Sequence, residues 1–390
     1  MRPPWIPLYA YTFFKNLVFA YVIERLFWEA RSMSVQDVVI AEIIFVLAVF
    51  ALEIPAGILA DRVRRKSVLI VAALCQALEF AIILFARSFA HFALAVSIAA
   101  VGEVLITGTF HALVYDALAA HGREAEFRKQ IARLTALDNA TLVVAFAAGG
   151  VLSKLLGMEL LYAIGAAGAV IAALCMGGLS EQRRRPTGAK QAPPLELVKR
   201  SIRAIATTPA VLTPVLAGVF VAGSVSYLDE FAILHLRDGG LPVWSFGVVA
   251  AVVHLLHAVG NLFGDRLSDA ARRRGFYLSL AVCILVFQSL FGFSPILVGV
   301  SMLGAVYLLR GAFDVLVVAE VHDCAESEFR ATAESVVSQL QQTAGVVFGI
   351  AFGIIAGRMS VGPAISMTAV VALVAYLLLT TLVGGARRQE

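Results

Sequence analysis

Long apolar runs set the first limit on this chain. Crossing a bilayer as a helix takes about 20 consecutive apolar residues, with a range of about 17–25. On that ruler about twelve segments qualify: 6–27, 36–60, 67–86, 92–119, 127–156, 160–179, 210–236, 243–267, 275–293, 295–321, 329–356 and 361–383. The chain is 60% hydrophobic and 15% charged, whereas soluble domains carry about 45–50% apolar and about 25% charged residues. The fold class read from this pattern is an all-α membrane protein with twelve spans. Spans four, five, ten and eleven exceed what a bilayer needs. They are expected to project into the cytoplasm and carry Asp116, His121, Arg128 and Glu328 out of the lipid.

The cations fix the orientation. With both termini cytoplasmic, the inner loops hold Arg2, the cluster Arg62, Arg64, Arg65 and Lys66, the stretch from Arg123 to Arg133, the central loop, Arg266 to Arg274, Arg330 and Arg387-Arg388. The outer loops keep Arg31, Arg87, Lys154, Arg237 and Arg358. Lys and Arg are retained on the cytoplasmic side, so the net charge of +4 reports topology and not nucleic-acid binding. The expected location is a bacterial inner membrane. Arg2 leads straight into a long segment containing Lys15 with no small-residue cleavage pattern, which argues against a cleaved signal. Cys75, Cys175, Cys283 and Cys324 lie in or beside apolar segments without CxxC spacing and read as small apolar packers.

The chain divides into residues 1–179, a linker 180–208 and residues 209–390. The linker opens with Arg183-Arg184-Arg185-Pro186 and passes through Pro193-Pro194. Leu195, Val198, Ile202 and Ile205 then fall at helical spacing, with Lys199, Arg200 and Arg203 on the other face. This is either a short helix on the inner leaflet or a solvated charged loop. The two outer parts share a motif. Ala56-Gly-Ile-Leu-Ala-Asp-Arg62 aligns with Gly260-Asn-Leu-Phe-Gly-Asp-Arg266, and a basic run follows each copy. The first copy is expected to break at Pro55 and Gly57.

Twelve spans in two similar halves joined by a basic loop resemble the major facilitator superfamily, whose parallel halves are each built from inverted three-span repeats. Residues 57–69 resemble its signature between spans two and three through Gly57, Asp61, Arg62, Arg65 and Lys66; Arg64 stands where the signature has a glycine, which should stiffen the turn. Glu53-Ile-Pro55, Ala112-Leu-Val-Tyr-Asp116, Arg310-Gly311 and Arg330-Ala-Thr332 resemble a bacterial subgroup close to the drug exporters. The resemblance implies two six-helix bundles with pseudo-two-fold symmetry. It also implies a cytoplasmic latch, with Asp61 facing the positive N-terminus of span eleven and Arg65 reaching Asp116. Such contacts would hold the halves together and break on inward opening. Asp265 and Arg266 would form the weaker second copy.

Charges inside spans are costly and are usually paired or functional. Lys15 and Asn16 fall near the middle of span one, Glu103 in span four, Asp138-Asn139 in span five, and Arg310 in span ten with Asp314 at i+4. Asp229-Glu230 lie in the outer third of span seven. By the resemblance, spans one, four, seven and ten line the cavity. Lys15 could pair with Glu103 or Asp138, and Arg310 with Asp314 or with Asp229-Glu230; these could equally be ion pairs that only fix packing. Adjacent carboxylates cannot share a helix face, so at most one of Asp229 and Glu230 points inward. Glu103, Asp229 and Glu230 are the candidate proton carriers; Lys15, Asn16, Asp138, Arg310 and Asp314 are the candidate substrate contacts. His254 and His257 have i+3 spacing without a third ligand and read as core residues. No metal or other cofactor is expected.

No P-loop is present, so ATP is not the energy source of this chain. Ala147-Ala-Gly149-Gly150 has the glycines of the span-five drug-antiporter motif without its proline. The expected function is proton-coupled efflux of a small amphipathic organic molecule by alternating access, through a monomer whose partners are the solute, protons and the bilayer. Export or uptake of one anionic or zwitterionic metabolite, such as a metal chelator, is the alternative. A transporter-like sensor or membrane enzyme is a third, disfavoured by the absence of a catalytic constellation.

Overall fold

The computed structural model describes residues 5–107, 109–123, 126–179, 194–271, 276–324 and 330–386. Every regular element among them is helical: α1 (Trp5–Asn16), α2 (Glu24–Ala30), α3 (Val35–Arg62), α4 (Arg65–Phe85), α5 (Phe89–Thr107), α6 (Phe110–Ala119), α7 (Phe127–Leu156), α8 (Met158–Gly177), α9 (Pro194–Thr207), α10 (Pro209–Val225), α11 (Leu228–Asp238), α12 (Phe246–Ala271), α13 (Phe276–Phe291), α14 (Ile296–Cys324), α15 (Arg330–Ala356) and α16 (Val361–Ala386). Among the described residues ten helices are long and apolar enough to cross a membrane, or eleven if α9 and α10, which meet at a bend, count as one span. The sequence segment 210–236 forms α10 and α11, and segment 275–293 is the shorter apolar α13. Large apolar side chains face outward along these helices, Phe50 at 67% exposed, Phe85 at 74% and Leu262 at 75%. Water would penalise that surface; hydrocarbon does not.

Two compact units result. Unit 1 is Met1–Thr187 with Pro242–Ala251, and unit 2 is Gly188–Leu241 with Val252–Glu390. In unit 1, α4 packs on α8 and α5, and α1 on α8. Alanines 72, 73, 169, 172 and 173 and Gly165 let these helices close on buried Tyr11, Phe80 and Tyr162. Glycine also draws in the start of span eight. A Cβ on Gly150 would sit 2.8 Å from the Trp244 carbonyl oxygen, and one on Gly247 would run into the Phe146 carbonyl. In unit 2, α10 packs on α15, and α13 on α14 and α16.

Two expectations change here. Spans one, four and seven are discontinuous. Span one stops at Asn16 and resumes as a 3₁₀ turn, Tyr21–Ile23, before α2; span four is α5 plus α6. Conversely, span two does not break at Pro55 and Gly57: α3 runs through both to Arg62. In the turn that follows, Val63 (φ −104°) and Arg64 (φ −61°) are both extended, and any residue adopts such angles, so Arg64 fits there without strain.

The central loop's expected helix is α9, which meets α10 at a bend of 104°. It packs against α15 and α10. Ser201 and Ile205 are buried there, while Lys199, Arg200, Ile202 and Arg203 are exposed. Residues 180–193 and the side chains of Leu195 and Val198 lie outside the described residues.

Candidate functional site

In unit 1 the charged groups gather where span one breaks. The Asn16 amide donates to the Thr12 carbonyl at 2.9 Å and to Asp138 Oδ1 on α7. Lys15 and Glu103 both lie within electrostatic reach of Asp138, and Glu103 also acts on Tyr11. Asn16 and Asp138 thus join α1 to α7, with Lys15 and Glu103 close enough to act on the Asp138 carboxylate electrostatically. The break has a packing cause as well. Gly149 brings α7 so close that a Cβ there would strike the Phe19 carbonyl and sit 2.7 Å from Val22 Cγ1. Lys15 is half-buried and Glu103 exposed. Phe13 and Phe14, edge to face at 5.3 Å, add an aromatic surface one and two residues before Lys15. The Tyr9 hydroxyl donates to buried Gln130 at 2.9 Å and ties α1 to α7 below the site.

In unit 2 the site is an ionic triad. Arg310 Nε lies 3.5 Å from Asp314 Oδ2 one turn along α14. His257 Nε2 on α12 lies 3.3 Å from the same oxygen. This differs from the core role that the lone i+3 histidine spacing implies for His257, whose partner lies 57 residues away in the chain. A clue existed in the glycines. Gly260 and Gly264, read as part of the repeated signature, sit four residues apart, the small-residue spacing that lets helices touch closely. A Cβ on Gly260 would enter the Leu308 carbonyl, and one on Gly311 the His257 carbonyl. This contact carries His257 to Asp314. His254 instead meets the Tyr307 ring edge on at 5.9 Å. No group of three metal ligands occurs among the described residues.

The signature between spans two and three is built inside unit 1, so the Arg65–Asp116 contact, expected to join the two halves, braces one of them. Arg65 Nη1 donates to Asp116 Oδ2 at 2.5 Å and to the Ala112 carbonyl at 2.9 Å, which fastens α4 to α6. Lys66 Nζ donates to the carbonyls of Gly177 and Leu179 at 2.7 and 2.8 Å. That places a cation at the negative end of α8, where it complements the helix dipole. Nearby, Arg123 and Glu126 form two parallel hydrogen bonds of 2.8 and 2.7 Å. This contact raises the arginine's pKa and holds the Glu126 carboxyl below its usual value. The side chains of Asp61, Arg62, Asp229, Glu230, Asp265 and Arg266 lie outside the described residues, as do those of Arg128 and Glu328.

The model for the Major Facilitator Superfamily matches residues 8–345. The chain belongs to the major facilitator superfamily. Solved structures of that superfamily share its fold. A bacterial homologue of the human lysosomal transporter Spinster, in an inward-facing, unoccupied conformation, is 18% identical with a TM-score of 0.72, covering 98% of this chain and 95% of its own. The nucleoside transporter NupG is 14% identical with a TM-score of 0.76, covering 97% and 99%. The POT family transporter PepTSo is 13% identical with a TM-score of 0.66, covering 100% and 99%. At these identities the likeness concerns the fold alone. No curated protein matches the chain. The chain is thus a multi-pass membrane protein of a transporter superfamily, and its solute must be argued from its own residues.

Proposed function

We propose that this protein is a proton-coupled secondary transporter that exports a small organic solute carrying both charge and an apolar part, by alternating access. The observation that carries the reading is the charge pattern of the two sites. Each unit sets a cation beside carboxylates, Lys15 with Asp138 and Glu103, and Arg310 with Asp314. A lipophilic cation would meet Lys15 and Arg310 as repulsive neighbours. An anionic or zwitterionic solute would find a partner for each of its charges, and the Phe13-Phe14 pair suits its apolar part. The proton carriers are Glu103 and one of Asp229 and Glu230. The gate is the cytoplasmic signature, Gly57, Asp61 and Arg62 with Asp265 and Arg266 as the second copy, and Arg65, Lys66 and Asp116 brace it from within unit 1. The working unit is a monomer in a bacterial inner membrane, with both termini cytoplasmic.

His257 ties α12 to this carboxylate: its Nε2 lies 3.3 Å from Asp314 Oδ2, and Arg310 Nε lies 3.5 Å from the same oxygen. In reconstituted vesicles, Asp314→Asn is expected to lower proton-driven transport at least about tenfold, the scale of a lost charge-assisted hydrogen bond. His257→Gln, which keeps a side-chain donor for Asp314, should retain more transport than His257→Leu, which has none. Equal transport in the two variants would remove His257 from the site.

A further inference from the structure

Spans one and seven are both broken, and the same set of groups closes both breaks. In unit 1, α1 ends at Asn16. The Lys15 carbonyl, one residue short of that end, is among those a helix terminus leaves without an intrahelical partner. The Gln76 amide nitrogen on α4 donates to it at 3.2 Å and lies 3.5 Å from the hydroxyl of Tyr21, where the chain resumes. In unit 2, α10 ends at Val225, and the Ser224 carbonyl holds the corresponding place. The Gln288 amide nitrogen on α13 donates to it at 2.6 Å and to the Tyr227 hydroxyl at 3.2 Å. Tyr227 is the residue before α11, and Ser224 Oγ donates back to Gln288 Oε1 at 3.2 Å.

The correspondence extends into the sequence. Tyr21-Val-Ile-Glu24 and Tyr227-Leu-Asp-Glu230 both place a glutamate three residues beyond the tyrosine. Glutamine suits the position chemically. A carbonyl can only accept, so the side chain facing it must donate, and an uncharged amide donates without bringing an ion into the bundle. A span can be interrupted in lipid only where neighbours satisfy the freed backbone groups. Both glutamines come from the third span of their half and serve the first.

We propose that Gln76 and Gln288 are a duplicated pair of positioning residues. Each holds open the break in the first span of its half. Each thereby fixes the segment that carries Lys15 and Asn16 in one half and Asp229 and Glu230 in the other. The proposal uses the transport reading only for its consequence, that these segments present the solute-binding side chains.

Hydrogen exchange on the purified protein in lipid nanodiscs tests the clasp without any solute, so its failure is separable from a failure of the transport reading. Gln76→Met keeps the side-chain length and loses the donor. It is expected to speed exchange across residues 17–23 by about two- to tenfold, the worth of one hydrogen bond, with residues 224–230 unchanged. Gln288→Met should do the reverse. The glutamate variants supply the rescue. A protonated carboxyl at position 76 or 288 can donate to the carbonyl, and an ionised one cannot. After correction for intrinsic rates, Gln76→Glu and Gln288→Glu should match the wild type at low pH and the Met variants at high pH. Unchanged exchange in the Met variants, acceleration spread over the whole chain, or glutamate variants with the same protection at both pH values would each overturn the proposal.

Discussion

Gly311→Ala is expected to leave little well-folded protein, although it adds a single methyl group. The new Cβ would run into the His257 carbonyl oxygen, lie 2.9 Å from that carbonyl carbon and lie 3.0 Å from the Asn261 nitrogen. All three are backbone atoms of α12, so no side chain can rotate away. The contact is reciprocal. Gly260 meets the Leu308 carbonyl, and a Cβ on Gly264 would sit 3.0 Å from the Ala312 carbonyl oxygen. Relief requires α12 and α14 to separate along several turns. Overpacking a close contact costs about 1–3 kcal/mol, and more where the backbone itself must shift. Size-exclusion profiles and melting in detergent would show the loss. Gly349→Ala is the control: nothing lies within 4 Å of its Cβ, and alanine favours a helix by about 1 kcal/mol over glycine. Equal melting of Gly311→Ala and the wild type would mean that α12 and α14 do not touch in this way. His257 would then lose its place beside Asp314.

Asp116→Asn and Arg65→Ala are expected to be the next most damaging. The pair is mostly buried, 12% and 25% exposed, and removing one member leaves the other's charge in a poor solvent. Breaking buried pairs costs about 3–5 kcal/mol; the partial exposure of Asp116 puts this pair at the lower end. Arg65→Ala should cost more than Asp116→Asn, because Arg65 also serves the Ala112 carbonyl. Melting temperatures in that order, with partial recovery in the double variant Arg65→Asp/Asp116→Arg, would support the pairing. Because both residues belong to unit 1, the first effect expected is loosening of α4 from α6.

The sequence carried the number of spans and the charged residues within them, because a membrane span is a one-dimensional property: length and apolarity suffice. It did not carry the breaks in spans one and seven. No glycine or proline marks Leu17 to Ala20 or Ser226 to Tyr227. Those breaks depend on donors from other helices, Gln76 and Gln288, and on Gly149 pressing against Phe19. Pro55 misled in the opposite direction, since α3 continues through it. For Arg310 the sequence offered two partners. Asp314, on the same helix face, is a partner among the described residues; the side chains of Asp229 and Glu230 lie outside them. His257 could be connected to Asp314 only through a helix contact that periodicity does not encode. The glycines that make this contact were visible, but they served the repeat as well as the packing, and sequence alone does not separate those roles.

The most direct measurement imposes a pH gradient on vesicles containing the purified protein and follows its collapse as solutes are added in two sets, lipophilic cations and anionic or zwitterionic metabolites. Proton-coupled transport at sites that pair Lys15 and Arg310 with carboxylates predicts collapse with members of the second set, lost in Asp314→Asn. Collapse with lipophilic cations alone, or none with either set, would contradict it.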